Sequence, residues 1–251
     1  MSQPPFQPIP LTRPGLFIAA TDTDVGKTAV ACALAALLHR AGHRVGVAKP
    51  IASGCRAERD TLVNPDAEAL AHFADAPQPL DLINPVRYRQ PLAPAAAAQA
   101  TGRPVDQAAV VDALQRIDAE SDLMIVEGLG GVLVPLDRTA TALDLAAAID
   151  YPVLVVARPG LGTLNHTALT CQAIRRAGLR LAGLVINGAD PDSPDPSAAS
   201  NPAWLARQNR TSVLATVPRA EGVAPAAGRL PPAVMEAMDV RDWARDFRRR
   251  R

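Results

Sequence analysis

The sequence has no stretch near the ~20 continuous apolar residues of a membrane-spanning helix, so no span is expected. Its three cysteines, Cys32, Cys55 and Cys171, are odd in number and far apart. They suit neither a disulfide scaffold nor a zinc cluster, and a reducing, cytoplasmic setting is expected. The four histidines, His39, His43, His72 and His166, show no metal-ligand spacing. A net charge of +1 gives no pull toward nucleic acid or an anionic membrane, and neither is expected as a partner. The one basic cluster, Arg241, Arg245 and Arg248 to Arg251, reads as a solvated, frayed end. No serine–histidine or cysteine–histidine pair suggests a nucleophile. Residues 1–14 hold five prolines and no apolar signal core, so a disordered Pro-rich extension is expected rather than a secretory signal. No repeat or linker divides the remainder, and residues 15–251 read as one domain.

What is present is a globular composition, 48% hydrophobic and 20% charged, and one organising stretch. Ala20-Thr21-Asp22-Thr23-Asp24-Val25-Gly26-Lys27-Thr28 lies between an apolar run at residues 16–19 and a helical run at residues 29–38. Strand, tight loop and helix make a phosphate-binding loop: backbone N–H groups and the helix dipole favour an anion. Gly26 lets the backbone come close, Lys27 reaches the β- and γ-phosphates, and the Thr28 hydroxyl can ligate Mg²⁺. The loop is one residue longer than the common pattern, with Ala20 where its first glycine would fall.

Apolar strands are expected at residues 44–48, 123–126, 152–157, 181–186 and 213–217. Helices are expected at 67–74, 95–100, 106–119, 141–149, 161–177, 204–209 and 232–247. Residues 51–64, most of 77–94 and 189–201 read as irregular. Strands alternating with helices predict an α/β fold, a doubly wound, mainly parallel sheet with helices on both faces.

In such a sheet the carboxyl ends of the strands form the ligand edge. Lys49 and Glu127 each follow a strand, and Asp66 opens a helix. Asp66 either caps that helix or faces the edge. Thr28, Asp66 and Glu127 are hard oxygen donors of the kind Mg²⁺ takes. Lys27 and Lys49 supply the positive charge that phosphoryl transfer requires, and Lys49 suggests a second anionic substrate beside the γ-phosphate. Asn187, after a strand, either reads a base edge or caps a turn. His166 reads as a structural hydrogen bonder. These residues point to an Mg-ATP enzyme or switch acting on an anionic or carboxyl-bearing small molecule.

The motifs together resemble the dethiobiotin synthetase family of P-loop type. They are Thr21-Asp22-Thr23-Asp24-Val25-Gly26-Lys27-Thr28, Lys49-Pro50-Ile51-Ala52-Ser53-Gly54, Asp66, Val126-Glu127-Gly128-Leu129-Gly130-Gly131, Gly160-Leu161-Gly162-Thr163-Leu164-Asn165-His166, and Asn187. The resemblance runs from about residue 15 to residue 218. It departs at Ala20, where glycine is usual, at Asp24, where glutamate is frequent, and at Ala95, where histidine is common. It implies ATP- and Mg²⁺-dependent closure of a cyclic urea from 7,8-diaminopelargonic acid and CO₂ or bicarbonate. It implies Lys27 and Lys49 as catalytic residues and Thr23, Ser53 and Asn165 as substrate contacts. The implied metal set is Thr28, Asp66 and Glu127. ATP would be held by Asp24, Val25, Gly26, Lys27, Thr28, Ala29, Asp66, Glu127, Gly128, Leu129, Gly130, Asn187, Gly188, Pro218, Arg219 and Ala220. A homodimer is implied, with residues 162–166 at its interface. Three alternatives stand beside this. An amide synthetase with a glutaminase domain needs more chain. A partition-type ATPase carries a lysine near the loop's start, where this chain has Ala19-Ala20-Thr21. A non-catalytic regulatory module need not keep Lys49, Ser53 and Asp66.

Overall fold

Leu16, Ile18 and Ala20 point to one side of the first strand, and Phe17 and Ala19 to the other; all five are buried. Burial on both faces is what a central parallel strand requires. The computed structural model describes residues 5–247. Its first half contains β1 (Gly15–Ala20), α1 (Lys27–Arg40), β2 (Val45–Ala48), β3 (Ile51–Ala52), β4 (Arg56–Glu58), β5 (Thr61–Val63), α2 (Pro65–Ala74), α3 (Leu80–Ile83), β6 (Val86–Arg87), α4 (Pro94–Thr101) and α5 (Gln107–Glu120). Then come β7 (Leu123–Gly131), α6 (Ala142–Ile149), β8 (Val153–Ala157), α7 (Thr163–Arg176), β9 (Leu181–Ala189), α8 (Ser197–Asn209), β10 (Val213–Pro218) and α9 (Pro232–Met238).

Six strands form one sheet in the order β10-β9-β8-β1-β7-β2. Every pairing in it is parallel. Phe17, Met124, Val126, Val153 and Val155 join a core with α5, α6 and α7 on one face. Leu16, Ile18, Ile125, Leu154 and Val156 join a second core with α1, α2 and α9 on the other. This is the expected doubly wound α/β architecture. The period-2 alternation also aims the functional residues. Val45 and Val47 face the α1 side and Ala48 the opposite side, so Lys49 returns to the α1 side. Val126 faces away from α1, so Glu127 faces it.

Several expectations are corrected. The N-terminal segment is not a disordered extension over its described part. Phe6, Ile9 and Leu11 are buried in the first core. Ile9 N–H donates to Ala148 O at 2.8 Å. The prolines rule out helix and strand, yet three large apolar side chains still have surface to bury. Residues 1–4 lie outside the described residues. The stretch 51–64 is not all loop. β3 pairs with β6 in parallel, and β4 and β5 form an antiparallel hairpin. That hairpin is mostly exposed, so it carries no apolar alternation to read.

Residues 189–201 were expected as loop, but α8 begins at Ser197 and runs on through Pro202. The helix expected at 232–247 stops at Met238, and a 3₁₀ turn follows at Trp243–Arg245. Val234, Met238, Trp243 and Phe247 are all buried; their near-helical spacing imitates one continuous helix. The Arg241 side chain is partly covered and pairs with Asp246 at 3.1 Å, whereas Arg245 pairs with Asp242 at 3.0 Å and stays largely exposed, as a solvated charge would. Arg248 to Arg251 lie outside the described residues.

Candidate active site

The loop between β1 and α1 turns at Gly26, with φ 88° and ψ 32°. A side chain there would be strained by the left-handed backbone. Its Cβ would also overlap Asn187 Nδ2. Asn187, on β9, donates that nitrogen to Val25 O at 2.9 Å. The Asn187 amide thus ties down the loop. Val25 and Ala29 are buried behind it.

Lys27 is buried, and its Nζ donates to Gly130 O at 3.1 Å and Asp22 O at 3.4 Å. Burial, then the neighbouring Lys49 charge, pulls the Lys27 pKa below its ordinary value. Thr28 Oγ1 donates to Glu127 Oε1 at 2.9 Å. Lys49 Nζ reaches the same oxygen at 2.5 Å and Asp66 Oδ2 at 2.8 Å. Burial alone would lower the Lys49 pKa, but the Glu127 and Asp66 carboxylates outweigh it and raise it. Burial likewise pushes the Asp66 carboxyl up, and Lys49 outweighs that to hold it below its ordinary value. Two lysines meet three carboxylates in the cleft, Asp24, Asp66 and Glu127, and the buried charges depend on one another.

Asp66 does not cap its helix. Asn64 does, its Oδ1 accepting from Asp66 N at 3.1 Å and Ala67 N at 3.2 Å. This frees the Asp66 carboxylate for Lys49. Asn64 was missed from the sequence, although Asn-Pro at a helix start is an N-cap signature.

The residues expected around the phosphates and metal converge. Thr23, Asp24, Gly26, Lys27, Thr28, Lys49, Ser53, Asp66, Glu127, Leu129 and Gly130 line one cleft of about 210 Å³. Gly128 faces elsewhere: a Cβ there would press on the Phe17 ring. Asn187, Gly188, Pro218, Arg219 and Ala220 gather at the neighbouring β9–β10 edge, where Arg219 N donates to Ala189 O at 2.7 Å. Asn165 is not in this cleft; it is exposed on α7. Beside it, His166 lines a separate groove with Asp22, Val132, Leu133 and Leu169. Arg158, which sequence reasoning did not single out, follows β8 and donates from Nη2 to Thr23 O at 2.9 Å.

The donor set fits Mg²⁺. Glu127 Oε2 is buried without a hydrogen-bond partner, beside the Thr28 hydroxyl and the Asp66 carboxylate. Among the described residues no group of three or more His, Cys, Asp or Glu could hold a metal by itself. One or two carboxylates, with phosphate and water completing the shell, is the habit of Mg²⁺.

A family model described as an AAA domain matches residues 14–227. The chain is 48% identical over 204 residues to the ATP-dependent dethiobiotin synthetase BioD of Anaeromyxobacter dehalogenans (strain 2CP-C), covering 81% of this chain and 89% of that protein. It is 38% identical over 211 residues to the ATP-dependent dethiobiotin synthetase BioD of Bacillus licheniformis, covering 84% and 88%. Among solved structures, a ParA family ATPase from Chlorobium tepidum superposes with a TM-score of 0.56 at 14% identity, over 93% of this chain and 98% of that one. The cell division ATPase MinD of Pyrococcus furiosus gives 0.51 at 16% identity, over 89% and 94%. These two likenesses concern the fold alone. Among the described residues no helix is long and apolar enough to cross a membrane. The sequence relatives are specific where the fold neighbours are not: this chain belongs to the ATP-dependent dethiobiotin synthetase family and is a P-loop ligase.

Proposed function

We propose that this enzyme closes the ureido ring of dethiobiotin from 7,8-diaminopelargonic acid, CO₂ and ATP. One amine adds to CO₂ and loses a proton, giving a carbamate. A carbamate oxygen attacks the γ-phosphorus, and ADP leaves. The second amine then attacks the carbonyl of the carbamic-phosphoric anhydride, phosphate departs, and the amine proton is lost as the ring closes. A carbamate is a poor electrophile because its carbonyl shares a negative charge. Phosphorylation converts one of its oxygens into a leaving group.

The observation that carries this reading is Lys49, buried and joined to both carboxylates beside the phosphate loop. A simple nucleotide switch has no need of this second ammonium. We assign Lys49 and Lys27 to offset the repulsion between carbamate and γ-phosphate. Thr23 and Ser53 take the diamine head. Thr28, Asp66 and Glu127 would hold Mg²⁺, which neutralises phosphate charge when bound. Residues 24–29 with Glu127, Leu129 and Gly130 surround the phosphates, Gly128 supporting them from behind, and Asn187, Gly188, Pro218, Arg219 and Ala220 flank the base. Leu133 and Leu169, which line the outer groove, are 63% and 59% exposed, which supports a second copy of the chain over it. Asn165 would then reach the substrate's far end across the dimer.

The test mixes purified protein with diaminopelargonic acid, bicarbonate, ATP and Mg²⁺, and follows the cyclic urea by mass together with released phosphate. Both products are expected in equal amounts. ATP hydrolysis that ignores the diamine would replace this reading with a switch ATPase.

A further inference from the structure

We propose that Arg158 is a positioning residue for the amine substrate, holding the Asp22–Thr23 turn from outside the cleft. The inference rests on the function proposed above. Thr23 lines the phosphate cleft and Asp22 lines the outer groove, so their turn is the wall between the two. Both backbone ends of Thr23 are held. Its N–H donates to Asp22 Oδ1 at 2.7 Å, and its carbonyl accepts from Arg158 Nη2 at 2.9 Å. Arg158 Nη2 also stands 3.7 Å from Asp22 Oδ2.

The turn needs such a restraint. Residues 21–25 contain no glycine, yet Asp24 sits at φ 56°, in the left-handed region that non-glycine residues seldom adopt. The backbone that follows Arg158 is braced. Buried Asn201 donates to the carbonyls of Pro159 at 2.7 Å and Gly160 at 3.2 Å. Leu161 N–H donates to Asp195 Oδ2 at 2.8 Å. The path runs from α8 through residues 159–161 to Arg158 and ends on the carbonyl of Thr23. Lys27 is anchored to the same turn through Asp22 O. Its second acceptor, Gly130 O, comes from β7, so Lys27 keeps an anchor outside the turn.

The test compares wild type with Arg158→Ala and Arg158→Lys. In Arg158→Ala, KM for the diamine should rise about tenfold, the scale of one charge-assisted hydrogen bond. Nucleotide affinity and kcat should stay within about threefold, on the same scale. Arg158→Lys should recover most of the loss, because an ammonium still donates to the Thr23 carbonyl. Amide hydrogen exchange of a peptide spanning residues 16–26, measured without ligand, should quicken in Arg158→Ala and return in Arg158→Lys. Unchanged diamine KM, or nucleotide affinity falling as far as diamine affinity, overturns the assignment. If wild type forms no cyclic urea, the proposed function fails, and unchanged exchange in Arg158→Ala would still sink the clamp by itself.

Discussion

Glu127 and Asp118 are both buried carboxylates, 1% and 4% exposed, yet they are used in opposite ways. Asp118 is saturated. Its Oδ2 accepts from Thr12 N at 2.8 Å and Thr12 Oγ1 at 2.7 Å, and its Oδ1 from Arg13 N at 2.8 Å. Those donors are backbone and hydroxyl groups from one strap of chain, and they close the site. Glu127 gathers Lys49 and Thr28 on one oxygen and leaves the other without a partner. A buried lone pair left open is expensive unless something else occupies it. A carboxylate with both oxygens spent holds structure, and one with capacity in reserve is placed to meet a ligand.

The largest effect should come from Lys49→Ala. Turnover is expected to be abolished while ATP binding stays largely intact. Removing one partner of a buried ion pair also leaves charge uncompensated, so stability without metal should fall by about 3 kcal/mol. Added Mg²⁺ or Mn²⁺ should return part of it, because Lys49 is the resident counter-cation of the same oxygens. Urea melts with and without metal check this. Equal melts for the two proteins would break the comparison at its functional end. Next comes Asp118→Ala, with a loss of about 2 kcal/mol from three stranded donors that can partly reach water. Specific activity of the folded enzyme should not change. An activity defect as deep as that of Lys49→Ala would mean that the strap does more than hold α5.

The contrast also separates what the sequence discloses from what it hides. Lys27, Thr28, Lys49, Asp66 and Glu127 were legible because each stands at a strand end or helix start, and period-2 burial dictates where it points. The six-stranded sheet was legible for the same reason: its strands are continuous apolar runs. The Asp118 site was not, because the donors to that carboxylate are mainly backbone groups, which any residue could supply. Arg158 was hidden likewise, since its acceptor is the carbonyl of Thr23. Asn187 was noticed, but its amide grips the Val25 carbonyl, and no motif announces a contact with a backbone oxygen. Asn165 kept its place on α7 but does not enter this chain's own cleft.

A finer cut at the strap is Thr12→Val. It deletes one of the three bonds to Asp118 and keeps the two backbone donors, so the cost should be near 1 kcal/mol. Denaturation midpoints should rank wild type, Thr12→Val and Asp118→Ala in descending order, with equal specific activities. A Thr12→Val loss as large as that of Asp118→Ala would show that the hydroxyl alone carries the site.

The smallest effect belongs to Asp122, which is saturated like Asp118 but not buried. It accepts from Arg44 Nη2 at 2.6 Å, Arg44 N at 3.0 Å and Arg44 Nε at 3.3 Å. Those bonds hold its carboxyl down at about 2, against an ordinary 3.8. A carboxylate with a lowered folded-state pKa stabilises above its unfolded value, and that gain is lost as pH falls through the folded one. The gap in urea midpoint between wild type and Asp122→Asn should therefore be small and flat above pH 4, then close between about pH 4 and pH 2. It should also shrink with added salt, because exposed pairs are screened. A gap at neutral pH as wide as that of Asp118→Ala would mean that hydrogen-bond saturation, without burial, is enough to make a carboxylate structural. A narrow gap that closes in acid assigns the difference between the two aspartates to burial.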